Sequence, residues 1–416
     1  MPDEHDDEEL DALEHPRDGV PPVVDDPDLL ERAVDALTSG TGPVAVDAER
    51  ASGYRYGQSA YLVQLRREGA GTWLVDPVPL PDLSVLDAAL ADTEWVLHAA
   101  TQDIPCLAEL GLRPRRLFDT ELGARIAGLP RVGLSSVLEY YLGVTLAKEH
   151  SAVDWSTRPL PEPWLRYAAL DVELLVELRH RMERDLVEQG KLGWAAQEFD
   201  ALTRFTGPEQ RPDPWRRTSG MHRVRTRRGA ATVRELWRTR DELARHRDVT
   251  PGRILPDATL IDLAMRAPES EATLHRGATE KSQTRQRRAA QGLKRHAGAW
   301  VGAIRAAAEI PDRELPDLTT ASDAPPPPRA WADRDPVAAA RLTQVKEELA
   351  ALSEHYEVPV ENLLTPDTLR RVLWRPPDRD DPTAVAAALT AYGARPWQCE
   401  LVAPVIAQAL KDHPAD

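Results

Sequence analysis

From about residue 28 onward, apolar and polar positions alternate with regular periods. "LLERAVDALTSG" repeats its apolar residues at helical spacing and stops at Gly40. "PVAVDAE", "AYLVQLRR" and "GTWLVDP" are short, rich in Val, Leu and aromatics, and bounded by turn residues, so they predict strands. "LSVLDAALADTE" predicts a helix, "WVLHAA" a buried strand, "DIPCLAELGL" a helix stopped by Gly111, and "RLFDT" one more short strand. The pattern is mainly helical from there to about residue 203. Strands first, then alternating strand and helix, predict an α/β fold with a mixed sheet flanked by helices. One stretch breaks the pattern. In "RYAALDVELL", Tyr167 and Asp171 stand four apart on one helical face, close to Leu174, Leu175 and Leu178. A carboxylate on an apolar face costs several kcal/mol unless it is paired, hydrogen-bonded or bound to a metal.

Turn residues divide the chain. Residues 1–19 are acidic and poor in apolar side chains, which predicts a disordered tail. Residues 20–205 form the α/β domain, and "TGPEQRPDPW" makes 206–215 a linker. Residues 216–307 are helical. Four consecutive prolines make 308–330 an extended spacer, and 331–413 is helical again.

Charge changes this picture. The whole chain carries a net −16, which argues against a generally basic nucleic-acid binder. Yet residues 216–305 hold 21 Arg or Lys against nine Asp or Glu, while residues 331–416 come out at −5. A basic module inside an acidic protein predicts a phosphate-binding face, with Arg285, Arg287 and Arg288 as candidate contacts. Cys106 and Cys399 imply no disulfide framework. The N-terminus lacks the apolar core of a signal peptide, and no apolar run approaches the length of a membrane span. A soluble cytoplasmic protein without membrane partners is expected.

The candidate chemistry lies in carboxylates. Asp47 and Glu49 stand two apart on a predicted strand and so project from one face. Asp103 follows a predicted buried strand at the start of a helix. Asp171 and Tyr167 complete the set. If the four carboxylates converge, they can bind two hard divalent cations, Mg²⁺ or Mn²⁺. Such a pair clamps the attacking and leaving oxygens of a phosphodiester displacement. His98 reads as a core or supporting residue and Asp119 as a helix cap. Lys148 and Arg158, in a loop before the Tyr-bearing helix, are candidate phosphate contacts. Trp237 reads as core.

The ordered set D-x-E (Asp47, Glu49), Asp103 and Y-x-x-x-D (Tyr167, Asp171) resembles the DEDD family of 3′–5′ exonucleases, in its tyrosine-type subclass. "HSAVDWSTRPLP" followed by "WLRYAALDVELL" resembles bacterial ribonuclease D. "ELWRTRDELARHRDVTPGRILPDATLIDLA" resembles the helicase-and-RNase-D C-terminal (HRDC) domain, and the last region is compatible with a diverged second copy. The resemblance implies a ribonuclease-H-like mixed sheet followed by one or two all-helical HRDC-type domains. It also implies two bound metal ions and release of 5′-mononucleotides from RNA 3′ ends, such as tRNA precursors or other structured RNA. By analogy, Asp47 bridges both metals, Glu49 and Asp171 hold the one that activates water, Asp103 supports the other, and Tyr167 positions the nucleophile. Two other readings stay open: a DNA 3′–5′ exonuclease, since metals see only the phosphate, and a non-catalytic nucleic-acid-binding protein. Oligomeric state is unassigned.

Overall fold

The computed structural model describes residues 11–146, 153–209, 212–274, 283–319 and 323–414. Its strands are β1 (Asp11–Leu13), β2 (Val23–Val24), β3 (Thr41–Arg50), β4 (Ala60–Glu68), β5 (Gly71–Val75), β6 (Glu94–Leu97), β7 (Arg116–Asp119) and β8 (Val144–Leu146). The main sheet has six strands in the order β2-β5-β4-β3-β6-β7. β3 pairs antiparallel with β4 and parallel with β6; β6 and β7 are parallel, as are β2 and β5. This is the mixed sheet the sequence pattern predicts.

Among the described residues this domain has eight α-helices: α1 (Pro27–Ser39), α2 (Ser84–Ala89), α3 (Ile104–Glu109), α4 (Thr120–Ile126), α5 (Leu134–Leu142), α6 (Glu162–Glu173), α7 (Leu175–Glu188) and α8 (Leu192–Thr203). Local sequence explains α1. The Asp26 side chain accepts from the Leu29 N–H, Pro27 opens the first turn, and Leu30, Ala33 and Leu37 are buried along one stripe. Gly40 ends it, where a Cβ would lie 2.9 Å from the Glu68 carbonyl. The strand period sorts β3. Val44, Val46 and Ala48 join the core against α1, α2 and α3, while Ala45 joins a second core with α4, α5, α7 and α8. Asp47 and Glu49 share the parity of Ala45. The apolar face around Tyr167 spans two helices rather than one: α6 ends at Glu173, and Leu174 (φ −110°, ψ 0°) breaks the run before α7.

Two helical units follow. The first comprises α9 (Arg227–Arg247), α10 (Pro251–Ile254), α11 (Asp257–Arg266), α12 (Glu271–Leu274), α13 (Gln283–Arg295) and α14 (Ala297–Glu309). The second comprises α15 (Trp331–Arg334), α16 (Pro336–Tyr356), α17 (Val360–Leu363), α18 (Pro366–Trp374), α19 (Pro382–Ala391) and α20 (Pro396–Asp412). Each has its own core, with Trp215 and Trp300 in the first and Trp331 and Trp397 in the second. No helix among the described residues is long and apolar enough to cross a membrane.

Two expectations need correction. The N-terminal segment is not a free tail as far as residue 19. β1 pairs with β8, Pro16 is buried, and Asp18 pairs with Arg66 at 3.1 Å. Low apolar content does not prevent a three-residue strand from pairing with another short strand distant in the chain. The segment 308–330 is not simply a spacer. Arg228 donates to the carbonyls of Ala307, Ala308 and Ile310, Leu315 is buried, and the Trp331 indole donates to the Pro326 carbonyl. An arginine about eighty residues away in sequence and the tryptophan that follows the segment satisfy a backbone that its own residues leave unpaired.

Candidate active site

Strand pairing, helix capping and one helix face build the site. β3 presents Asp47 and Glu49 from the middle of the sheet, with Asp47 directly opposite Gln64 of β4. α6 is held against the sheet by Ala168 and Ala169, which pack on Leu62, Leu74 and Trp155. That seating aims Asp171 at the β3 carboxylates. Oxygens of Asp47, Glu49 and Asp171 all lie within 4.8 Å of one another. The Tyr167 hydroxyl, one turn earlier, donates to the Asp171 carboxylate. Asp103 stands at the head of α3 beside this trio, paired with Arg50 at 3.5 Å. All five sequence-predicted residues line one cavity of about 380 Å³.

A buried carboxylate, Asp119, holds Asp103 in place. It accepts from the N–H groups of Glu121 and Leu122, as the expected cap of α4, and from those of Ala99 and Ala100. The last two bonds pin the turn that leads into Asp103, where Ala99 adopts φ +61°. Burial pushes Asp119 up to about 6 against the pull of those four donors. His98 lines the cavity, with Nδ1 2.9 Å from the Thr120 hydroxyl. Burial lowers it to about 4, so its ring is neutral at pH 7.

The electrostatics of the cluster are unfavourable for free carboxylates. Burial raises Asp47 to about 6. Glu49, Asp103 and Asp171 are also raised, first by burial and then by the neighbouring acids. Among the described residues the one cation that offsets these shifts is Arg50. Four oxygen donors short of compensating charge, opening on a cavity, fit hard divalent cations.

Arg158 does not serve as a phosphate contact. Its five N–H groups are spent on both Asp76 oxygens and on the carbonyls of Tyr61, Trp155 and Thr157. A buried acid and three unpaired carbonyls outcompete solvent for a planar guanidinium. Lys148 and the side chain of Arg285 lie outside the described residues. Arg287 and Arg288 are exposed on α13 and form no ion pair among the described residues. Trp237 packs on the core of the first helical unit, as expected.

Two residues escaped sequence reasoning. Arg50 follows Glu49 immediately, donates to the Gln102 carbonyl at 2.7 Å and pairs with Asp103. Gln64 is fully buried and its amide makes no hydrogen bond in the structure. The polar residue between Val63 and Leu65, inside the apolar first part of β4, was the available signal for it.

The chain is similar to known proteins over most of its length. The family model described as 3′–5′ exonuclease matches residues 21–187, that of the HRDC domain matches 230–291, and that of the 3′ to 5′ exonuclease C-terminal domain matches 324–410. Ribonuclease D of Sphingobium indicum is 31% identical over 237 residues, 56% of this chain and 61% of that protein. Ribonuclease D of Gluconacetobacter diazotrophicus is 29% identical over 80% of this chain and 81% of its own length. Among solved structures, a protein from Bifidobacterium adolescentis superposes with TM-score 0.86 at 40% identity, over 97% of this chain and 100% of that one. Escherichia coli RNase D superposes at 0.68 with 24% identity, over 95% and 99%, and there shares the fold.

Proposed function

The chain belongs to the ribonuclease D family of 3′–5′ exonucleases, and from that premise we propose that it hydrolyses phosphodiesters at RNA 3′ ends and releases 5′-mononucleotides. The observation that carries this reading is the convergence of Asp47, Glu49 and Asp171 within 4.8 Å, with Tyr167 bonded to Asp171. Asp47, Glu49, Asp103 and Asp171 would hold two divalent cations, Mg²⁺ or Mn²⁺. Bound there, such ions lower the pKa of water and stabilise a departing alkoxide. The Tyr167 hydroxyl, already turned toward Asp171, orients the nucleophile by hydrogen bonding. Arg50 steadies Asp103. The neutral His98 contributes shape and no charge.

The charge distribution supports RNA as the substrate class. The basic first unit offers Arg287 and Arg288, with Arg285 adjacent in sequence, to the body of an RNA whose 3′ end enters the acidic cleft. The relative from Escherichia coli is described as an exoribonuclease involved in structured RNA processing, and tRNA precursors or similar structured RNA are the substrates proposed, in the cytoplasm. Residues 331–413 are proposed as a diverged copy of the HRDC unit.

Matched labelled RNA and DNA oligomers, incubated with Mg²⁺, Mn²⁺ or EDTA, test the activity. Mononucleotides are expected from RNA with metal and none with EDTA; release from DNA alone favours the DNA exonuclease reading. Asp171→Asn loses a ligand charge at constant volume and is expected to abolish turnover. Mn²⁺ or Mg²⁺ at a hundred times its dissociation constant should also stabilise the wild-type fold by about 2.7 kcal/mol. That rise should be largely lost in Asp171→Asn, and an equal rise in the variant would put the ions elsewhere.

A further inference from the structure

The loop between β3 and β4, residues 51–59, starts one residue past Arg50 and so leaves directly from the active site. The first helical unit takes hold of it. The Tyr56 ring packs on the core of that unit, and its hydroxyl donates to Asp241 at 3.0 Å. The Thr250 N–H donates to the Tyr54 carbonyl at 3.1 Å, and Arg253 Nε to the Gly53 carbonyl at 2.7 Å, with its guanidinium 4.2 Å above the Tyr54 ring. Asp248 accepts from the Tyr56 N–H at 3.2 Å and from Arg55 at 3.1 Å. Arg55 also donates from Nε to the Ser156 hydroxyl at 2.8 Å, and Ser156 donates in turn to Asp154. Ser156 lies in the segment that leads into α6, the helix of Tyr167 and Asp171.

Any one of these contacts is weak at a surface. Together they fix the loop at six of its backbone or side-chain groups and join two of the three chain segments that supply the carboxylates, β3 and the approach to α6. The loop also walls a second cavity, of about 310 Å³, lined by Glu49, Arg50, Ser52, Gly53, Tyr54 and Val153. A displaced loop would therefore change the space beside Glu49 and the seat of Arg50 on Asp103. Loops without such anchors open locally at low free energy.

We infer that this junction is a clamp through which the first helical unit positions the Glu49–Arg50 end of the active site, with Tyr56 as its positioning residue. The unit then acts on turnover as well as on substrate grip. The inference rests on the nuclease reading above, and its test separates the two. In the full chain, Tyr56→Ala removes ring and hydroxyl, while Tyr56→Phe restores the ring. Three measurements apply: amide hydrogen exchange over residues 50–59, Mn²⁺ affinity by electron paramagnetic resonance, and kcat and KM on an RNA dinucleotide, whose single phosphodiester leaves little for a distant basic surface to grip.

Tyr56→Ala is expected to exchange faster over 50–59, to bind Mn²⁺ more weakly, and to lose about tenfold in kcat with KM little changed, since an ångström-scale misplacement costs that much or more. Tyr56→Phe should recover most of each. Wild-type exchange in Tyr56→Ala overturns the clamp, as does faster exchange with wild-type kcat and Mn²⁺ affinity. If the wild-type chain itself cleaves nothing, the nuclease reading fails, and exchange with Mn²⁺ affinity still decides the clamp. Should Tyr56→Ala fold poorly, Arg253→Ala removes the Gly53 bond and the cation over Tyr54, and the same outcomes apply.

Discussion

The two helical units share a plan but dock on the nuclease domain in opposite ways. Each contains a 21-residue helix, α9 or α16, that ends at a non-glycine residue in left-handed conformation, Asp248 (φ 48°) or Glu357 (φ 52°). A valine, a four-residue helix and a buried Leu follow in both, then a helix with a buried Thr-Leu pair, as "ILPDATL" and "LLTPDTL" show. In both, that left-handed turn meets the nuclease domain. Asp248 meets Arg55 and Tyr56 beside the active site. Glu357 packs on Gly128 and faces Lys191, at the far end of α4 and the start of α8. The first junction is polar and half-exposed. The second is aromatic and buried: Trp397 stacks on Trp194 at 5.0 Å, its indole donates to Glu198, and its backbone N–H to Gln197. The basic surplus belongs to the first unit alone. One architecture therefore serves as a buried buttress in the second unit and carries a basic surplus on a polar junction in the first.

Trp397→Ala should break this contrast most strongly. A buried Trp truncated to Ala costs about 3–5 kcal/mol, so denaturant unfolding should shift markedly; wild-type stability would show that the second unit is not a buttress. Gly128→Ala attacks the same junction from the other side. Its φ is +87°, and a Cβ would lie 2.5 Å from the Glu357 carbonyl, so a loss of about 1–3 kcal/mol is expected. Charge separates the units next. Arg287→Glu with Arg288→Glu should lower RNA affinity in fluorescence anisotropy and flatten the log–log salt slope by about 0.7 per lost single-strand contact. Reversal of Arg370 and Arg371, which pair with Asp367 in the second unit, should leave that slope alone. Equal effects in the two units would erase the distinction. The smallest effect is expected at the polar junction: Arg55→Ala should keep the melting free energy within about 1 kcal/mol of wild type, whatever it does to the loop.

Sequence alone carried a good deal of this. The 3.6- and 2-residue periods reflect one-sided burial, which is a local property, and they placed β3 to β7 and α1 to α3, but not the short strands β1, β2 and β8. The D-x-E pair shared a face because strand side chains alternate, and Tyr167 and Asp171 shared one because four residues close a helical turn. Charge counts found the basic unit because composition needs no coordinates. The break at Leu174 was not legible, since Leu suits either side of a helix end and packing chose the kink.

What only the tertiary structure decided concerns partners distant in the chain. Arg158 looked free for phosphate until the sheet brought Asp76 and three carbonyls to it. Arg50 carried no signal in the sequence, and the turn pinned by Asp119 set Asp103 beside it. Gln64 came to stand opposite Asp47 through strand pairing alone. Tyr56 became an anchor through a unit nearly two hundred residues away. A charged or polar group takes its role from whichever groups leave water with it, and that pairing is set by the folded chain; the periodicity of the sequence records only which side of an element leaves water at all.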